Sequence, residues 1–166
     1  MKQNYRIGTG YDIHKTDENR DLIIGGIKIP HEKGLFGHSD ADVLIHAIID
    51  AMLGALALSD IGTLFPDNKE EFKGISSVIL LQKVNGLILE KGYEINNIDS
   101  NIIAQEPKMM PHIPKMKELL AEVLKIDLDM ISIKAKTNEK MDAVGRLEAI
   151  EANAVVMLGR VKGNSK

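Results

Sequence analysis

The chain has 166 residues, of which 44% are hydrophobic and 27% are charged, and its formal net charge is −3. These values are ordinary for a soluble globular protein and exclude a strongly basic, non-specific nucleic-acid binder. Cysteine is absent, which excludes disulfides, thiolate metal sites and cysteine nucleophiles, so any metal must be bound by His, Asp or Glu.

We expect a single domain over residues 1–166, because no repeat, low-complexity tract or linker divides the chain. The first residues, MKQNYRIGTG, contain no apolar signal segment. No run approaches the ~20 apolar residues of a membrane span. The sequence therefore predicts a cytoplasmic protein with no membrane or nucleic-acid partner.

The regular elements are predicted in chain order from hydrophobic periodicity and from turn and cap residues. A strand over residues 5–9 leads into GYDIH (residues 10–14), and Gly25-Gly26 joins Leu22–Ile24 to Ile27–Ile29 as a hairpin. The later predicted elements are helices over residues 40–58, 76–91 and 110–125 and strands over residues 95–103, 131–135 and 149–161. This mixed order predicts an α+β fold with helices on one face of a mixed β-sheet.

GYDIH places a carboxylate and an imidazole side by side. Asp12 and His14 are two residues apart in an extended chain, so their side chains project from the same face. Alone, such a pair is more often a strand-end hydrogen bond than a metal site.

The helix predicted over residues 40–58 carries an unexpected polar stripe. Ser39 is its predicted N-cap, and Asp42, His46 and Asp50 recur every four residues along an otherwise apolar helix. Asp42 is explained by helix capping and Asp50 by a neighbouring loop, whereas His46 has no such local partner. It is either a satisfied core histidine or the third ligand of a zinc site with one open position, together with Asp12 and the strand histidine.

Two further segments carry phosphate-binding chemistry. His38-Ser39 precedes the predicted helix, whose free N–H groups favour an anion, although Ser39 could equally be a simple cap. KAKTNEK (residues 134–140) follows a strand, where Lys136 and Thr137 could hold phosphate oxygens and Glu139 could hold Mg²⁺. The commoner interpretation of the second segment is a solvated strand exit.

Two polar loops, residues 62–74 and 105–112, are longer than connection requires, and such loops often carry binding residues. AQEPKMMPHIP (residues 104–114) contains three prolines and many free backbone groups, so it could read the edge of a nucleobase. A structural turn before the next helix is the simpler alternative.

Together these segments resemble the 2-C-methyl-D-erythritol 2,4-cyclodiphosphate synthase family of the non-mevalonate isoprenoid pathway. The resembling segments, in order over residues 5–161, are RIGTGYDIH, GGIKIPHEKGLFGHSDADVLIHAIIDAMLGA, DIGTLFPD, FKG, AQEPKMMPHIP and NEK…GR…E. The resemblance implies an α+β, chorismate mutase-like trimeric architecture. It also implies homotrimers in which one subunit brings the metal and its neighbour brings much of the cytidine pocket.

The resemblance implies a phosphorus–oxygen lyase reaction. The substrate is 4-diphosphocytidyl-2-C-methyl-D-erythritol 2-phosphate, whose 2-phosphate attacks the β-phosphorus, closes the cyclic diphosphate and releases CMP. Both reacting groups are anionic, so two metal ions are implied. Zn²⁺ is bound by Asp12, His14 and His46 and meets a substrate phosphate, while Glu139 holds Mg²⁺ or Mn²⁺ against the diphosphate.

The family's other roles carry over by position. His38 and Thr137 are implied as catalytic residues that stabilise the transition state, and Lys108 lies near the diphosphate. Residues 60–62 contact the sugar portions, residues 65–69 line the erythritol side, and residues 104–110 cradle the cytosine. The implied substrate-binding set is Asp12, Ile13, His14, His38, Ser39, Asp60, Ile61, Gly62, Phe65, Pro66, Asp67, Asn68, Lys69, Ala104, Gln105, Glu106, Pro107, Lys108, Met109, Met110, Lys136, Thr137, Asn138, Glu139, Ala143 and Arg146.

The chain departs from the family pattern at two places. Lys136-Thr137-Asn138 stands where the family has a Thr-rich stretch, and Ala143 stands where an aromatic residue is common, near an Arg146 implied to meet an isoprenoid diphosphate at the trimer centre. Because Thr137 and Glu139 are present, activity is expected. Two rival functions are a catalytically silent trimeric module that binds nucleotide or isoprenoid diphosphate, and a zinc hydrolase that gives a linear product.

Overall fold

The computed structural model describes residues 5–66 and 68–161. The strands are β1 (Tyr5–Asp17), β2 (Leu22–Ile24), β3 (Ile27–Ile29), β4 (Gly34–Leu35), β5 (Tyr93–Ile103), β6 (Ile131–Lys136) and β7 (Ala149–Arg160). The α-helices are α1 (Val43–Ala55), α2 (Ile61–Leu64), α3 (Ser77–Glu90), α4 (Ile113–Leu124) and α5 (Asp142–Gly145). Short 3₁₀ turns occur at Glu70–Phe72, Met110–His112 and Leu128–Met130.

A five-stranded sheet in the order β4-β1-β7-β5-β6 organises the fold. β5 and β6 run parallel, whereas the other neighbouring pairs in the sheet are antiparallel. The β2–β3 hairpin forms a separate two-stranded sheet. The prediction of a mixed sheet in an α+β fold is confirmed.

The helices cover one face of this sheet, as predicted. Alternate residues of β7 are buried on that face, namely Ile150, Ala152, Ala154, Val156 and Leu158. α1 lies directly on β1, because a Cβ added at Gly8 or Gly10 would come within 1.9 Å of the carbonyl oxygen of Ala51 or Ala47. This close approach brings the side chains that follow Gly10 on β1 against the first turns of α1.

The opposite face of the sheet is open in the single chain and carries large apolar side chains. They are between 42% and 65% exposed and comprise Tyr5, Ile7, Tyr11, Ile13 and Val155. A contiguous set of exposed apolar residues on a sheet face is typical of a protein–protein interface.

The hairpin turn is fixed to α1 by one buried carboxylate. Gly25 and Gly26 have φ values of +63° and +78°, as a two-residue hairpin turn requires. Asp42 is fully buried and accepts hydrogen bonds from the N–H groups of Gly25 (2.9 Å), Gly26 (2.6 Å) and Ile45 (3.0 Å). Burial nevertheless raises the pKa of Asp42 to about 6.

The predicted start of the central helix is wrong. α1 begins at Val43 with Asp42 as its N-cap, instead of at residue 40 with Ser39 as the cap. Ala41 adopts a left-handed φ of +58°, which cannot continue a right-handed helix. The helix also ends at Ala55, before residue 58, because Ala57 has a φ of +56°.

The other element predictions differ from the structure mainly at their ends. β1 continues to Asp17, and α3, predicted from residue 76, begins at Ser77 with Ser76 as its N-cap. The segment predicted as a helix over residues 110–125 is a 3₁₀ turn followed by α4, and the loop over residues 62–74 contains part of α2 and a 3₁₀ turn. Among the helices of the described residues, none combines the length and apolar character needed to cross a bilayer.

Candidate active site

Three side chains from β1 and α1 converge on one point. Asp12 Oδ2 lies 2.9 Å from His46 Nδ1 and 3.0 Å from His14 Nε2, and the two histidine nitrogens are 3.2 Å apart. His46 is 8% exposed and the other two are half-buried. Among residues 5–66 and 68–161, this is the group of three or more His, Cys, Asp or Glu side chains placed to hold a metal ion.

The triangle fits a tetrahedral zinc ion. Zn²⁺ binds histidine nitrogen and carboxylate oxygen at about 2.0–2.1 Å, so two ligand atoms of a tetrahedron lie about 3.3–3.4 Å apart. The three observed separations, 2.9–3.2 Å, are only slightly shorter than this. Two imidazoles and one carboxylate also leave a fourth coordination position for substrate, as in catalytic zinc sites.

The outward nitrogens of both histidines have acceptors. His14 Nδ1 lies 2.7 Å from the carbonyl oxygen of Phe36, which can only accept, so Nδ1 carries a proton. Nε2 can then present a lone pair to a metal ion, or donate to Asp12 when the ring is protonated. His46 is turned the other way, with Nδ1 in the triangle and Nε2 2.8 Å from Ser77 Oγ. Such outer partners orient imidazole ligands in metal sites.

The electrostatics of the triangle favour an ionised carboxylate. Burial alone would raise the pKa of Asp12, but hydrogen bonds from His14 and His46 outweigh it and hold this pKa far below its usual range. Burial lowers and Asp12 raises the pKa of His14, with a net increase. Asp12 is thus ionised beside two imidazoles, the state in which its oxygen can bind a cation.

Asp50 fixes a neighbouring segment, as its predicted role as a loop partner requires. Its Oδ1 accepts the N–H of Ile61 at 2.7 Å, which anchors α2 against α1. Burial raises the pKa of Asp50 despite this hydrogen bond. Asp60 caps α2 by accepting the Thr63 N–H at 2.9 Å, so residues 60–62 are held beside the helix that carries His46.

The predicted helix-terminal anion site at His38-Ser39 is wrong in its mechanism. α1 begins four residues after Ser39, at Val43, and the carboxylate of Asp42 already accepts the Ile45 N–H of its first turn. A carboxylate cap adds negative charge at this terminus, which opposes a second anion there. A phosphate contact by His38 or Ser39 therefore does not draw on the N-terminus of α1.

His38 and Ser39 are nevertheless held close to the triangle. Ser39 Oγ lies 3.2 Å from His46 Nε2, and the Arg20 guanidinium donates to the carbonyl oxygens of Gly37 and Ser39 on either side of His38. His38 Nε2 lies 3.2 Å from the carbonyl oxygen of Lys69. The structure thus joins this segment both to the triangle and to residues 65–69.

Four of the five residues predicted to line the erythritol side, Phe65, Pro66, Asn68 and Lys69, belong to the described part of the chain. The Phe65 ring packs edge-on against Phe72, with ring centroids 5.4 Å apart. Pro66 is half-buried, whereas Asn68 and Lys69 are exposed. Asp67 lies outside the described residues.

The predicted cytosine loop and the strand exit after β6 are joined to each other. The Ala104 N–H donates to the Lys136 carbonyl at 2.9 Å, and the Lys140 N–H donates to Gln105 Oε1 at 3.0 Å. Thr137 Oγ1 donates to a Glu139 carboxylate oxygen at 2.9 Å. Most side chains of these two segments are exposed, namely Glu106, Lys108, Met110, Lys136, Thr137 and Glu139. Met109 is buried, and Pro107 and Asn138 are half-buried.

The segment after Glu139 turns tightly before β7. Ala143 is half-buried in α5, and Arg146 is exposed and makes a two-pronged ion pair with Glu148, at 3.0 Å for the Nη2 contact. Neither residue contacts the triangle through any hydrogen bond or ion pair of the described chain.

Within one chain the two groups of predicted site residues are apart. Asp12, Ala152, Ile102 and Ala135 lie opposite one another across β1, β7, β5 and β6. Three strand spacings of about 4.8 Å therefore separate β1 from β6 by about 14 Å. Residues 136–139 and 104–110 are together called the strand-exit group. Since Thr137 and Glu139 follow β6, the triangle and the strand-exit group lie on different strands of the sheet.

A cavity beside the predicted cytosine loop is small. It is lined by Thr16, His31, Glu32, Lys33, Gln105, Glu106, Leu147, Ala149 and Ile150, and its volume is about 90 Å³. Pockets that enclose a drug-sized ligand have about 300–1,000 Å³. This cavity of the single chain does not enclose a nucleotide.

Sequence reasoning missed the residues that support the triangle. Arg20 donates to the backbone on both sides of His38, Ser77 adjoins the outer nitrogen of His46, and Asp40 accepts the Ser77 hydroxyl. Ser77 is 31 residues from His46 and follows an ordinary helix cap, so no local pattern marks it. Its role follows only from the packing of α3 against α1.

Sequence profiles and curated relatives agree with one another. The profile of the YgbB family matches residues 5–159. The 2-C-methyl-D-erythritol 2,4-cyclodiphosphate synthase of Clostridium botulinum (strain Hall) is 59% identical over 153 residues, which are 92% of this chain and 99% of that protein. The protein of the same name from Alkaliphilus metalliredigens is 56% identical over 158 residues, or 95% of this chain and 99% of its own length.

Solved structures show the same fold. The CDP complex of IspF from Plasmodium falciparum aligns with a TM-score of 0.84 and 42% identity over 97% of this chain and 100% of that one. The bifunctional IspDF from Campylobacter jejuni aligns with a TM-score of 0.90 and 39% identity over 94% of this chain. The present chain spans 42% of that bifunctional protein.

Proposed function

The chain belongs to the YgbB family, and from this membership and the shared name of its curated relatives we infer that it forms 2-C-methyl-D-erythritol 2,4-cyclodiphosphate. The reaction is part of the non-mevalonate route to isoprenoids. The observation that carries this conclusion is the 59% identity over nearly the whole of both chains. That identity favours cyclisation over a silent binding module or a zinc hydrolase.

The substrate is 4-diphosphocytidyl-2-C-methyl-D-erythritol 2-phosphate. Its 2-phosphate oxygen attacks the β-phosphorus, a P–O bond to the cytidine phosphate breaks, and CMP leaves with the bond's electron pair. The overall change is that of a phosphorus–oxygen lyase. The CDP bound to the Plasmodium falciparum relative supports a cytidine nucleotide site in this chain as well.

Asp12, His14 and His46 hold Zn²⁺ in this proposal. The 2.9–3.2 Å separations of their ligand atoms and the outward hydrogen bonds of both histidines support that assignment. When bound, the ion supplies positive charge to phosphate oxygens in a partly buried site. The ionised Asp12 leaves one net positive charge on the centre, which favours an anionic substrate.

The chain's own polar groups orient the reacting phosphates. His38 and Ser39 lie beside the triangle and donate hydrogen bonds to the substrate phosphates, while residues 60–62 and 65–69 hold the erythritol portion. His38 and Thr137 stabilise charge on the phosphoryl group in transit. Positioning accounts for much of the catalysis, because both reacting groups belong to one flexible molecule.

Glu139 would hold the second metal, Mg²⁺ or Mn²⁺, which would supply positive charge to the diphosphate. The hydroxyl of Thr137 donates to this carboxylate at 2.9 Å and fixes its direction. A hard carboxylate oxygen beside substrate phosphates is a typical Mg²⁺ environment. Residues 104–110 hold the cytosine, and Lys108 and Lys136 lie near the diphosphate.

The active form is a homotrimer of chorismate mutase-like architecture with its sites between subunits. Two features support this proposal. The separation of about 14 Å between β1 and β6 keeps the triangle and the strand-exit group of one chain apart. The exposed apolar face that contains Ile7, Tyr11 and Val155 gives a surface for association.

Phosphorus NMR of the purified protein with its substrate tests the proposed reaction. We expect the resonances of a cyclic diphosphate and of CMP to appear together and to depend on added divalent metal. A linear diphosphate product would instead assign the protein as a hydrolase. Binding of substrate without CMP release would assign it as a binding module.

A further inference from the structure

The orientation of His46 depends on side chains that contact no other ligand of the triangle. His46 reaches the triangle through Nδ1, so its Nε2 must carry the ring proton when Nδ1 binds a metal. His14 obtains the corresponding constraint from a backbone carbonyl, that of Phe36. For His46 the constraint must come from the groups around Nε2, which are the hydroxyls of Ser77 at 2.8 Å and Ser39 at 3.2 Å.

Asp40 sets the direction of the hydrogen bond between His46 and Ser77. Ser77 is completely buried, and its Oγ donates to Asp40 Oδ1. A carboxylate can only accept, and a serine has one hydroxyl hydrogen, so this hydrogen is committed to Asp40. Ser77 Oγ then has only lone pairs to offer to His46 and accepts the proton of Nε2.

Asp40 is held in place by backbone hydrogen bonds, so it can fix the donor and acceptor roles of Ser77 Oγ. Its Oδ2 accepts the backbone N–H of Ser77 at 2.9 Å, and its own N–H donates to the Ile75 carbonyl at 3.1 Å. The carboxylate lies at the start of the 14-residue helix α3, where unpaired N–H groups and the helix dipole stabilise negative charge. The segment before α1 is thereby tied to the beginning of α3.

We propose that Asp40 and Ser77 are positioning residues of the metal site, because their hydrogen-bonded chain fixes the Nε2–H tautomer of His46 and presents Nδ1 to the ion. This inference rests on the proposed zinc site. It adds an outer set of residues, on the loop before α1 and on α3, to the ligands on β1 and α1. Carboxylate partners of metal-bound histidines act directly in many sites, whereas here a buried serine lies between the two.

Two variants test the two side-chain hydrogen bonds, from His46 to Ser77 and from Ser77 to Asp40. Ser77→Ala removes the acceptor of the Nε2 proton. Asp40→Asn keeps the shape, but the Ser77 N–H fixes the amide oxygen at the former Oδ2 position, so the amide NH₂ points at Ser77 Oγ as a donor. The serine hydrogen is then released toward His46 Nε2, which favours the tautomer that cannot bind metal through Nδ1.

The adjacent serine supplies a matched control. Ser76 caps the same helix and accepts the Val78 N–H at 3.3 Å, so Ser76→Ala changes the same helix terminus. We expect a 10–100-fold loss of zinc affinity in Ser77→Ala and Asp40→Asn, measured by chelator competition, because outer-partner mutations of metal sites have that effect. Ser76→Ala should bind zinc as the wild type does.

A second measurement separates positioning from general stability. In the zinc-loaded protein labelled with ¹⁵N-histidine, the Nε2 proton of His46 should be observed in the wild type and in Ser76→Ala. In Ser77→Ala this proton should be lost to exchange with water. Thermal unfolding identifies any variant that fails to fold, and Asp40→Asn tests the same chain if Ser77→Ala does so.

Wild-type zinc affinity in folded Ser77→Ala and Asp40→Asn would overturn the inference, as would an equal loss in Ser76→Ala. A failure of the proposed metal site is distinguishable from these outcomes. In that case the wild type binds no zinc, or His46→Ala retains it, and the inference is overturned together with the site.

Discussion

The metal triangle and the strand-exit group differ in how much of their geometry one chain provides. The triangle is built from β1 and α1, which touch at Gly8 and Gly10, and all three of its ligand atoms lie within 3.2 Å of one another. The strand-exit group, residues 136–139 with residues 104–110, is largely exposed and is held by backbone contacts to its own neighbours. One chain thus brings all three candidate metal ligands together, whereas the residues proposed to bind the nucleotide remain exposed in it.

The difference has a physical reason. A cation site of three ligands is small, and its ligands must be buried and rigid, so regular elements of one subunit suffice for it. A nucleotide diphosphate is large and needs contacts on several sides, which the exposed loops of one chain do not provide. The proposed trimer resolves this by placing the loops of one subunit over the triangle of its neighbour.

The largest effect is expected from removing the buried ligand of the triangle. His46→Ala should abolish zinc binding and lower turnover by about 10³-fold or more, because the charge stabilisation of the phosphates is lost. Metal analysis and CMP release measure the two effects. Gln82→Ala, at an exposed position of α3 outside the predicted site residues, is the control. Stoichiometric zinc in the His46 variant would contradict the assignment.

A smaller and different loss is expected in the strand-exit group. Glu139→Gln should retain stoichiometric zinc yet lower turnover by about 10²-fold and weaken the Mg²⁺ dependence, because one charged ligand of the second metal is removed. Glu118→Gln, at an exposed position of α4, should behave as the wild type. Unchanged Mg²⁺ dependence in the Glu139 variant would remove that residue from the metal site.

Mixing these two inactive variants tests whether the two groups belong to different subunits. In randomly mixed trimers with sites shared between neighbours, about a quarter of the interfaces combine an intact triangle with an intact Glu139. Activity should therefore return to about a quarter of the wild-type value after subunit exchange between His46→Ala and Glu139→Gln. Verified mixed trimers without activity would show that both groups serve the same site from one chain.

The last effect concerns folding stability and the buried carboxylate that joins the hairpin turn to α1. The pKa of Asp42 is raised by burial to about 6, above its ordinary value of 3.8. The folded state therefore binds more protons than the unfolded chain between about pH 4 and pH 6, so this residue lowers stability as pH rises through that window. Above pH 6 its contribution is constant.

Asp42→Asn removes this ionisation while keeping one oxygen acceptor. The unfolding free energy of the variant relative to the wild type should rise by on the order of 2–3 kcal/mol between pH 4 and pH 6, at about 1.4 kcal/mol for each pKa unit. Denaturant unfolding across this range measures the change. Asp21→Asn, at an exposed ion pair with Lys28 on the same hairpin, should show little pH dependence. A flat difference for Asp42→Asn would mean that its hydrogen bonds fully offset burial.

Local patterns determined several parts of the fold. Gly25-Gly26 predicted the hairpin between β2 and β3, and the helix predicted from residue 76 begins at Ser77, because turn and cap chemistry involve only neighbouring residues. The alternation of a strand likewise placed Asp12 and His14 on one face. The resemblance of the ordered motifs supplied the family, which the relatives confirmed.

Only the tertiary structure decided which of these residues meet. The sequence left His46 as either a core histidine or a ligand, and the contact of α1 with β1 at two glycines places it beside Asp12 and His14. The start of α1 at Val43 and the chain from His46 through Ser77 to Asp40 were equally hidden. Periodicity fixes the face on which a side chain lies, whereas distances between residues more than thirty positions apart depend on how the elements pack.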